Sequence, residues 1–334
     1  MGILRGGQYQ RARELGKELL GLARQLQDPM LSLEAHRALG NTLFFRGELE
    51  LAHTHAQHGL ALYDPQQMRV HALRYGQDSG VACRLVGALC LWLLGYPDQA
   101  RQWNEAALTQ AQGLLHVFTL AQALLFSTIL HQWRRESSMA QERAEALLAL
   151  CTEHGFPLYL LWGTVLRGSV LTAQGAWGEG LAQMREGLAA WWIRGGRLFW
   201  SWFHALLAEA CGRAGQVEEG LRALEEVLEA LPTTEDRFYD AEVYRLKGAL
   251  LLARSAEQHA EAETCLRQAL NIARQQQAKS LELRAATSLS RLWQQQGKRD
   301  EAHELLAPVY GWFTEGFDTA DLQEARTLLE ELAG

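Results

Sequence analysis

A chain of 334 residues exceeds the length at which one hydrophobic core usually keeps growing. Its 48% hydrophobic and 21% charged residues are an ordinary folded composition, which excludes wholesale disorder. Lys and Arg number 32 against 39 Asp and Glu; the resulting net charge of −7 excludes a broad phosphate-binding surface, and with it nucleic acid as a partner.

Leu, Ala, Glu, Gln and Arg dominate, prolines number six, and alternating β-branched runs are absent, so the expected class is all-α. There is no signal peptide and no apolar run of about 18 residues, so no membrane partner is expected and the cytoplasm is the expected location. The five cysteines lack any C-x-x-C pair and sit in helical patterns, as small core residues of a reducing compartment do.

Taken in order, the chain repeats one pattern. An apolar helix end meets a glycine at Gly47, Gly95, Gly175, Gly215 and Gly297, and a small residue follows five positions on, at Ala52, Ala100, Gly180, Gly220 and Ala302. With Ala12, Ala140 and Ala262 added, these markers step by 40, 48, 40, 40, 40, 42 and 40 residues. A fixed period of this length denotes a solenoid whose units pack only on their neighbours. Each unit holds two helices of roughly 15 residues, about 22 Å long. The small marker lets the two helices of a hairpin approach closely. Gly40, Ala88, Thr128, Gly168 and Ala208, twelve positions earlier, are its counterparts on the first helix.

Residues 1–28 form a partial first repeat. Gly6 and Gly7 come too soon before Ala12 to leave room for a partner helix, so Leu15, Leu19 and Leu22 are expected half uncovered. The chain is therefore expected to begin mid-repeat as a fragment of something larger, and a homodimer through this helix is one consequence. Residues 29–317 make seven helix-hairpin repeats and 318–334 a capping helix, the whole of 1–334 being one solenoid. Asp318 or Thr319 starts the last helix, with Asp321 and Glu324 in its favourable first turn. Two places break the period: 61–84, with eight extra residues and turn chemistry at Asp64-Pro65 and Gln77-Asp78-Ser79-Gly80, and 251–263, whose turn lacks its glycine. Insertions in solenoids map to loops on one face, often the binding face.

The small–small hairpin pattern resembles the tetratricopeptide repeat, although the period exceeds that family's usual length of about 34. The stretches YDPQQ (63–67), RYGQDSGVACR (74–84), LWLLGYPDQA (91–100), LHQWRRE (130–136), YRLKGALLLA (244–253) and residues 278–325 make the resemblance more specific. They are similar to the C-terminal tetratricopeptide-like region of large bacterial signalling proteins. In those proteins a class III adenylate/guanylate cyclase or similar output domain precedes a STAND-type ATPase. The resemblance runs from about residue 29 to 332, and the loop at 191–203 is shorter than the family's.

It implies a right-handed α-solenoid that binds a protein, a peptide or a small ligand and regulates an upstream ATPase, without being an enzyme. The repeat register implies a concave face carrying Arg37, Asn41, Phe45, Trp133, Trp162, Ser169, Trp202, Glu209, Glu242, Arg245, Arg284 and Arg291. An apolar middle with charged ends suits a peptide or a small apolar ligand with a polar head.

Catalytic signatures are missing: there is no G-x-x-x-x-G-K-[ST], no G-x-S-x-G and no H-E-x-x-H, so neither an enzyme nor a cofactor is expected. His53, His55 and His58 are the one histidine cluster. On a helix His55 and His58 lie about 60° apart while His53 points away, so a solvated face is expected rather than a metal site. Trp191, Trp192, Phe199, Trp200, Trp202 and Phe203 surround Gly195-Gly196, and Trp92, Trp133, Trp162 and Trp177 fall in the middle repeats. Aromatics of this size mostly fill cores, so inter-repeat core is the first expectation and an aromatic groove the second. In the insert, His71, Arg74, Tyr75, Gln77 and Asp78 form either a turn tied by its own Asp78 and Arg74 hydrogen bonds or a recognition loop at the groove rim. The favoured function is a sensor module that relays occupancy upstream; a free-standing scaffold adaptor is the alternative.

Overall fold

The computed structural model describes residues 8–334 apart from 65, 67, 195 and 197, and the side chains at 68–71 and 256 are likewise left aside. Gly6, Gly7, Pro65, Gly195 and the side chain of His71 thus lie outside the described residues. In chain order the helices are α1 (Tyr9–Gln25), α2 (Pro29–Phe45), α3 (Leu49–Ala61), α4 (Met68–Tyr75), α5 (Ser79–Leu93) and α6 (Pro97–Gly113). Then come α7 (Val117–Trp133), α8 (Ser137–His154), α9 (Pro157–Ala173), α10 (Trp177–Ile193), α11 (Trp200–Arg213) and α12 (Val217–Ala230). The series ends with α13 (Asp240–Arg254), α14 (His259–Gln275), α15 (Lys279–Gln295), α16 (Arg299–Tyr310) and α17 (Ala320–Ala333). Every regular element among the described residues is helical, and the fold is an all-α solenoid.

Local chemistry sets the helix ends. Prolines at Pro29, Pro97 and Pro157 occupy first-turn positions that need no N–H. Asp28 and Asp78 accept from Leu31 N at 2.9 Å and Val81 N at 2.8 Å, capping α2 and α5. Gly47, Gly95, Gly175, Gly215 and Gly297 have φ between 74° and 93°, the left-handed end of a first helix. The hairpins close on the small residues. A Cβ on Gly168 would lie 2.6 Å from the Gly180 carbonyl, and one on Gly220 would lie 3.0 Å from the Ala208 carbonyl.

The insert departs from the turn expected of it. Residues 68–75 are helical, and Gly76 (φ 72°) ends that helix. Asp78 is fully buried as the cap of α5 and accepts from the Tyr63 hydroxyl at 2.9 Å. Thr319 begins α17 without a side-chain capping bond; its hydroxyl donates instead to Gly316 O at 2.7 Å.

The run of hairpins curves until its C-terminal part meets its N-terminal part. Ser280 donates to Trp92 O at 2.5 Å, Arg284 to Trp133 O at 2.6 Å, and the Arg237 amide to Phe45 O at 2.7 Å. Glu315 accepts from the Asp98 and Gln99 amides at the start of α6, at 2.9 and 3.1 Å. The inner face therefore becomes core. Phe45 packs against Phe199 and Phe238 (5.0 and 5.7 Å between ring centres), and Trp133 packs against Trp92, Trp202 and Tyr239 (5.0, 6.2 and 5.9 Å).

Candidate ligand-binding site

What remains of the inner face is a cavity of about 940 Å³, at the upper end of the range for ligand pockets. Its wall draws on the C-terminal end of α7, the α7–α8 turn, the starts of α8 and α10, α9, α11, α13, α15 and the start of α17. Trp133 and Tyr239 lie nearly parallel behind its wall, 15° apart and almost wholly buried (1% and 3% exposed), and half-exposed Trp177 stands at its edge. Gln132 and Ser169 line another side, joined by a 2.6 Å hydrogen bond.

Alternating charges run across the wall. Arg245 donates twice to Glu242, both bonds at 2.8 Å, and Arg284 lies 3.4 Å from the same carboxylate. Arg284 continues to Asp321 at 2.8 Å. Arg135 spans Asp321 at 3.4 Å and Glu324 at 2.7 Å, and Arg291 closes the series on Glu324. Arg213 pairs separately with Glu209 at 2.7 Å. Burial pushes the Glu242 carboxyl up, but the two guanidinium groups outweigh it and hold it below the ordinary carboxylate range. Glu324 is lowered in the same way: burial raises it, and Arg135 and Arg291 more than offset that.

The cavity brings together four of the sequence-derived candidates, Trp133, Glu209, Glu242 and Arg245, with Ser169, Arg284 and Arg291 from the same register. It does not include the others. Phe45, Trp162 and Trp202 are 4%, 4% and 0% exposed, so they do not open to a groove. Closure covers Phe45, which meets Phe199 and Phe238, whereas Trp162 is covered by Tyr159, Trp191, Phe199 and Phe203 of its own and the next repeat. Arg37 and Asn41 lie partly exposed on α2, away from the cavity, where Arg37 pairs with Glu34 at 2.9 Å. With its amide oxygen turned toward Arg37, Gln77 accepts from that guanidinium at 2.9 Å. Exposed Arg74 stacks over the Tyr75 ring at 5.5 Å and reaches Met30 Sδ at 3.7 Å. The insert residues do not edge the cavity.

Of the three clustered histidines His58 is exposed as expected, while His53 and His55 are partly covered. His36 of α2 is buried and meets His55, Nδ1 to Nδ1, at 3.0 Å, with the His58 ring edge-on at 5.3 Å. His53 turns away to the Trp103 ring.

Sequence reasoning missed Arg135, Asp321, Glu324 and Tyr239 as wall residues. Arg135 had a signal: it stands five positions before Ala140, where Gly47, Gly95, Gly175, Gly215 and Gly297 stand before their markers. It keeps the left-handed backbone of those glycines, at φ 63°.

Such an architecture defines a tetratricopeptide-like helical-repeat protein. No protein-family model matches the chain. An uncharacterized protein of Rhizobium meliloti (strain 1021) is 22% identical over 298 residues, covering 86% of this chain and 28% of its own length. The chain thus spans less than a third of the curated relative it matches. Among solved structures, the Rap conjugation gene regulator of plasmid pLS20, in complex with the Phr* peptide, superposes with a TM-score of 0.61. It is 13% identical, with 91% of this chain and 75% of that chain covered. Yeast Tom70 covers 98% of this chain and 59% of its own, at 14% identity and a TM-score of 0.47. At 13% identity the likeness to the Rap regulator is one of fold. No described helix is long and apolar enough to cross a membrane.

Proposed function

We propose that this chain is a non-catalytic recognition module that takes a short peptide, or a peptide segment of a partner protein, into the cavity enclosed by its curve. The observation that carries this reading is the cavity: about 940 Å³, walled by eight helices, charged across much of its wall and with half-exposed Trp177 at its edge. An aromatic surface contributes contact area at low entropic cost, and paired charges with amide and hydroxyl groups fix orientation. A fold like that of a regulator whose structure is in complex with a peptide supports the same reading.

The module acts within a longer protein, relaying occupancy to an ATPase and a cyclase-type output domain. Two features support this: the resemblance of 278–325 to such proteins, and a relative much longer than this chain. Occupancy would shift the curvature of the solenoid, by as much as the ligand's affinity differs between the two curvatures.

The test is a random octapeptide pool titrated against the whole chain, with Trp177→Ala, a half-exposed residue at the cavity edge, as comparison. Retention of peptides by the parent and at least about tenfold weaker retention by the variant is expected, a loss of roughly 1.4 kcal/mol. A pool that passes through without any retained member would refute the reading.

A further inference from the structure

A clasp of ion pairs crosses the edge of the cavity. Arg135 reaches from the α7–α8 turn to Glu324 and Asp321 in the first turns of α17, and Arg291 of α15 meets Glu324 as well. Among the hydrogen bonds and ion pairs above, those of Arg135 are the ones that tie α17 to the N-terminal half. Arg135 holds a left-handed backbone at φ 63°, as Gln27, Leu115 and Gln277 do at the ends of α1, α6 and α14.

The charge balance of the wall is unlike that of the chain. Five arginines (135, 213, 245, 284 and 291) share it with four carboxylates (Glu209, Glu242, Asp321 and Glu324), within a molecule of net charge −7. Exposure adds to the imbalance at the clasp. Arg135 and Arg291 are 44% and 49% exposed, whereas Asp321 and Glu324 are 14% and 29% exposed. The cations face the opening more than the acids that hold them, and a cleft with low-dielectric walls concentrates ligands of opposite sign.

We propose that the ligand is an acidic peptide whose carboxylate takes the place of Asp321 and Glu324 on Arg135 and Arg291, so that occupancy unclasps the first turns of α17. This rests on the peptide reading of the cavity. The exchange swaps one carboxylate for another on the same guanidinium groups, and exposed ion pairs are weak enough to be exchanged. The apolar face of α17 (Leu322, Ala325, Leu328, Leu332) stays buried, so the helix loosens at its start and does not detach. A change at α17 is thereby coupled to a site that the middle repeats build.

The experiment uses the whole chain and two octapeptide pools, one with two fixed Glu and one with Gln in their place. Binding is followed by fluorescence anisotropy and amide exchange by mass spectrometry. The Glu pool is expected to bind about tenfold tighter than the Gln pool, and to speed exchange at 320–327 by about tenfold. Glu324→Gln, which removes the shared partner of Arg135 and Arg291 without replacing either arginine, is expected to speed that exchange without peptide and to tighten binding of the Glu pool. Arg135→Gln is expected to erase the difference between pools. Equal affinity for the two pools, or bound peptide with α17 exchange unchanged, overturns the clasp and leaves the peptide reading standing. Binding of neither pool overturns the cavity reading itself. Unclasping by inorganic phosphate alone, at concentrations where the Glu pool has no effect, overturns the peptide as source of the anion.

Discussion

His36 and His55 face each other nitrogen to nitrogen at 3.0 Å, a contact that needs one ring to donate a proton and the other to accept it. Two cationic rings cannot make it. Burial first, then His55, His58 and Arg24, push His36 down to about 4, and His55 is lowered for similar reasons. The folded value lies below the unfolded one near 6.5. The contribution is therefore fully present above about pH 6.5 and fades as the pH falls toward 4. At pH 5 the loss from His36 alone comes to about 2 kcal/mol. His204, which burial also pushes to about 4, adds a loss in the same direction. Urea unfolding at pH 7.5 and pH 5 measures the sum, and in His36→Gln the gap between the two pH values is expected to shrink by about 2 kcal/mol. A gap unchanged by that substitution would mean that the histidine contact does not govern acid sensitivity.

At the scale of one hairpin, the approach of two backbones is the controlling quantity. A Cβ on Gly168 would meet the Gly180 carbonyl at 2.6 Å and Met184 Cγ at 2.7 Å, and a backbone cannot give way as a flexible side chain can. Gly168→Ala is expected to cost about 1–3 kcal/mol. Gly21, exposed inside α1 with open space around it, is the control. Gly21→Ala is expected to stabilise by about 0.5–1 kcal/mol, because only backbone entropy changes. Thermal melts of the pair separate close packing from propensity, and two shifts of the same sign would contradict the packing account.

The same quantity explains what was legible in the sequence. Where two helices nearly touch, only small residues fit, so the markers from Ala52 to Ala302 trace the hairpins directly. The insert was less legible, because turn residues at its two ends say nothing of the stretch between. Residues 68–75 contain neither glycine nor proline and form a helix. The cavity was half legible. Register placed Glu242, Arg245 and Arg284 on the inner face. Nothing in a 40-residue period, however, announces that Arg284 will reach Trp133, 151 residues earlier.

Over the whole molecule, that contact sets this chain apart from an open solenoid. In an open array each unit feels only its neighbours, and damage stays local. Here several contacts join the two halves, and Arg284 makes two of them. Arg284 donates to Trp133 O at 2.6 Å, lies over the Trp92 ring at 4.9 Å, and pairs with Glu242 and Asp321. It is 13% exposed, so its partners would keep buried charge if it were removed. Arg284→Met is expected to cost about 3 kcal/mol, the lower end for breaking a buried pair, since Arg245 and Arg135 still hold the two carboxylates. The informative readout is where the loss appears. Amide exchange under mildly denaturing conditions is expected to quicken at the C-terminal ends of α5 and α7 together with α13 and α15, although some 150 residues separate them. In an open array the same substitution would loosen α13 to α17 and leave α5 and α7 as they were. Spread of the effect across the seam would make closure of the curve one cooperative event. An occupant of the cavity could then be sensed at both ends of the chain at once.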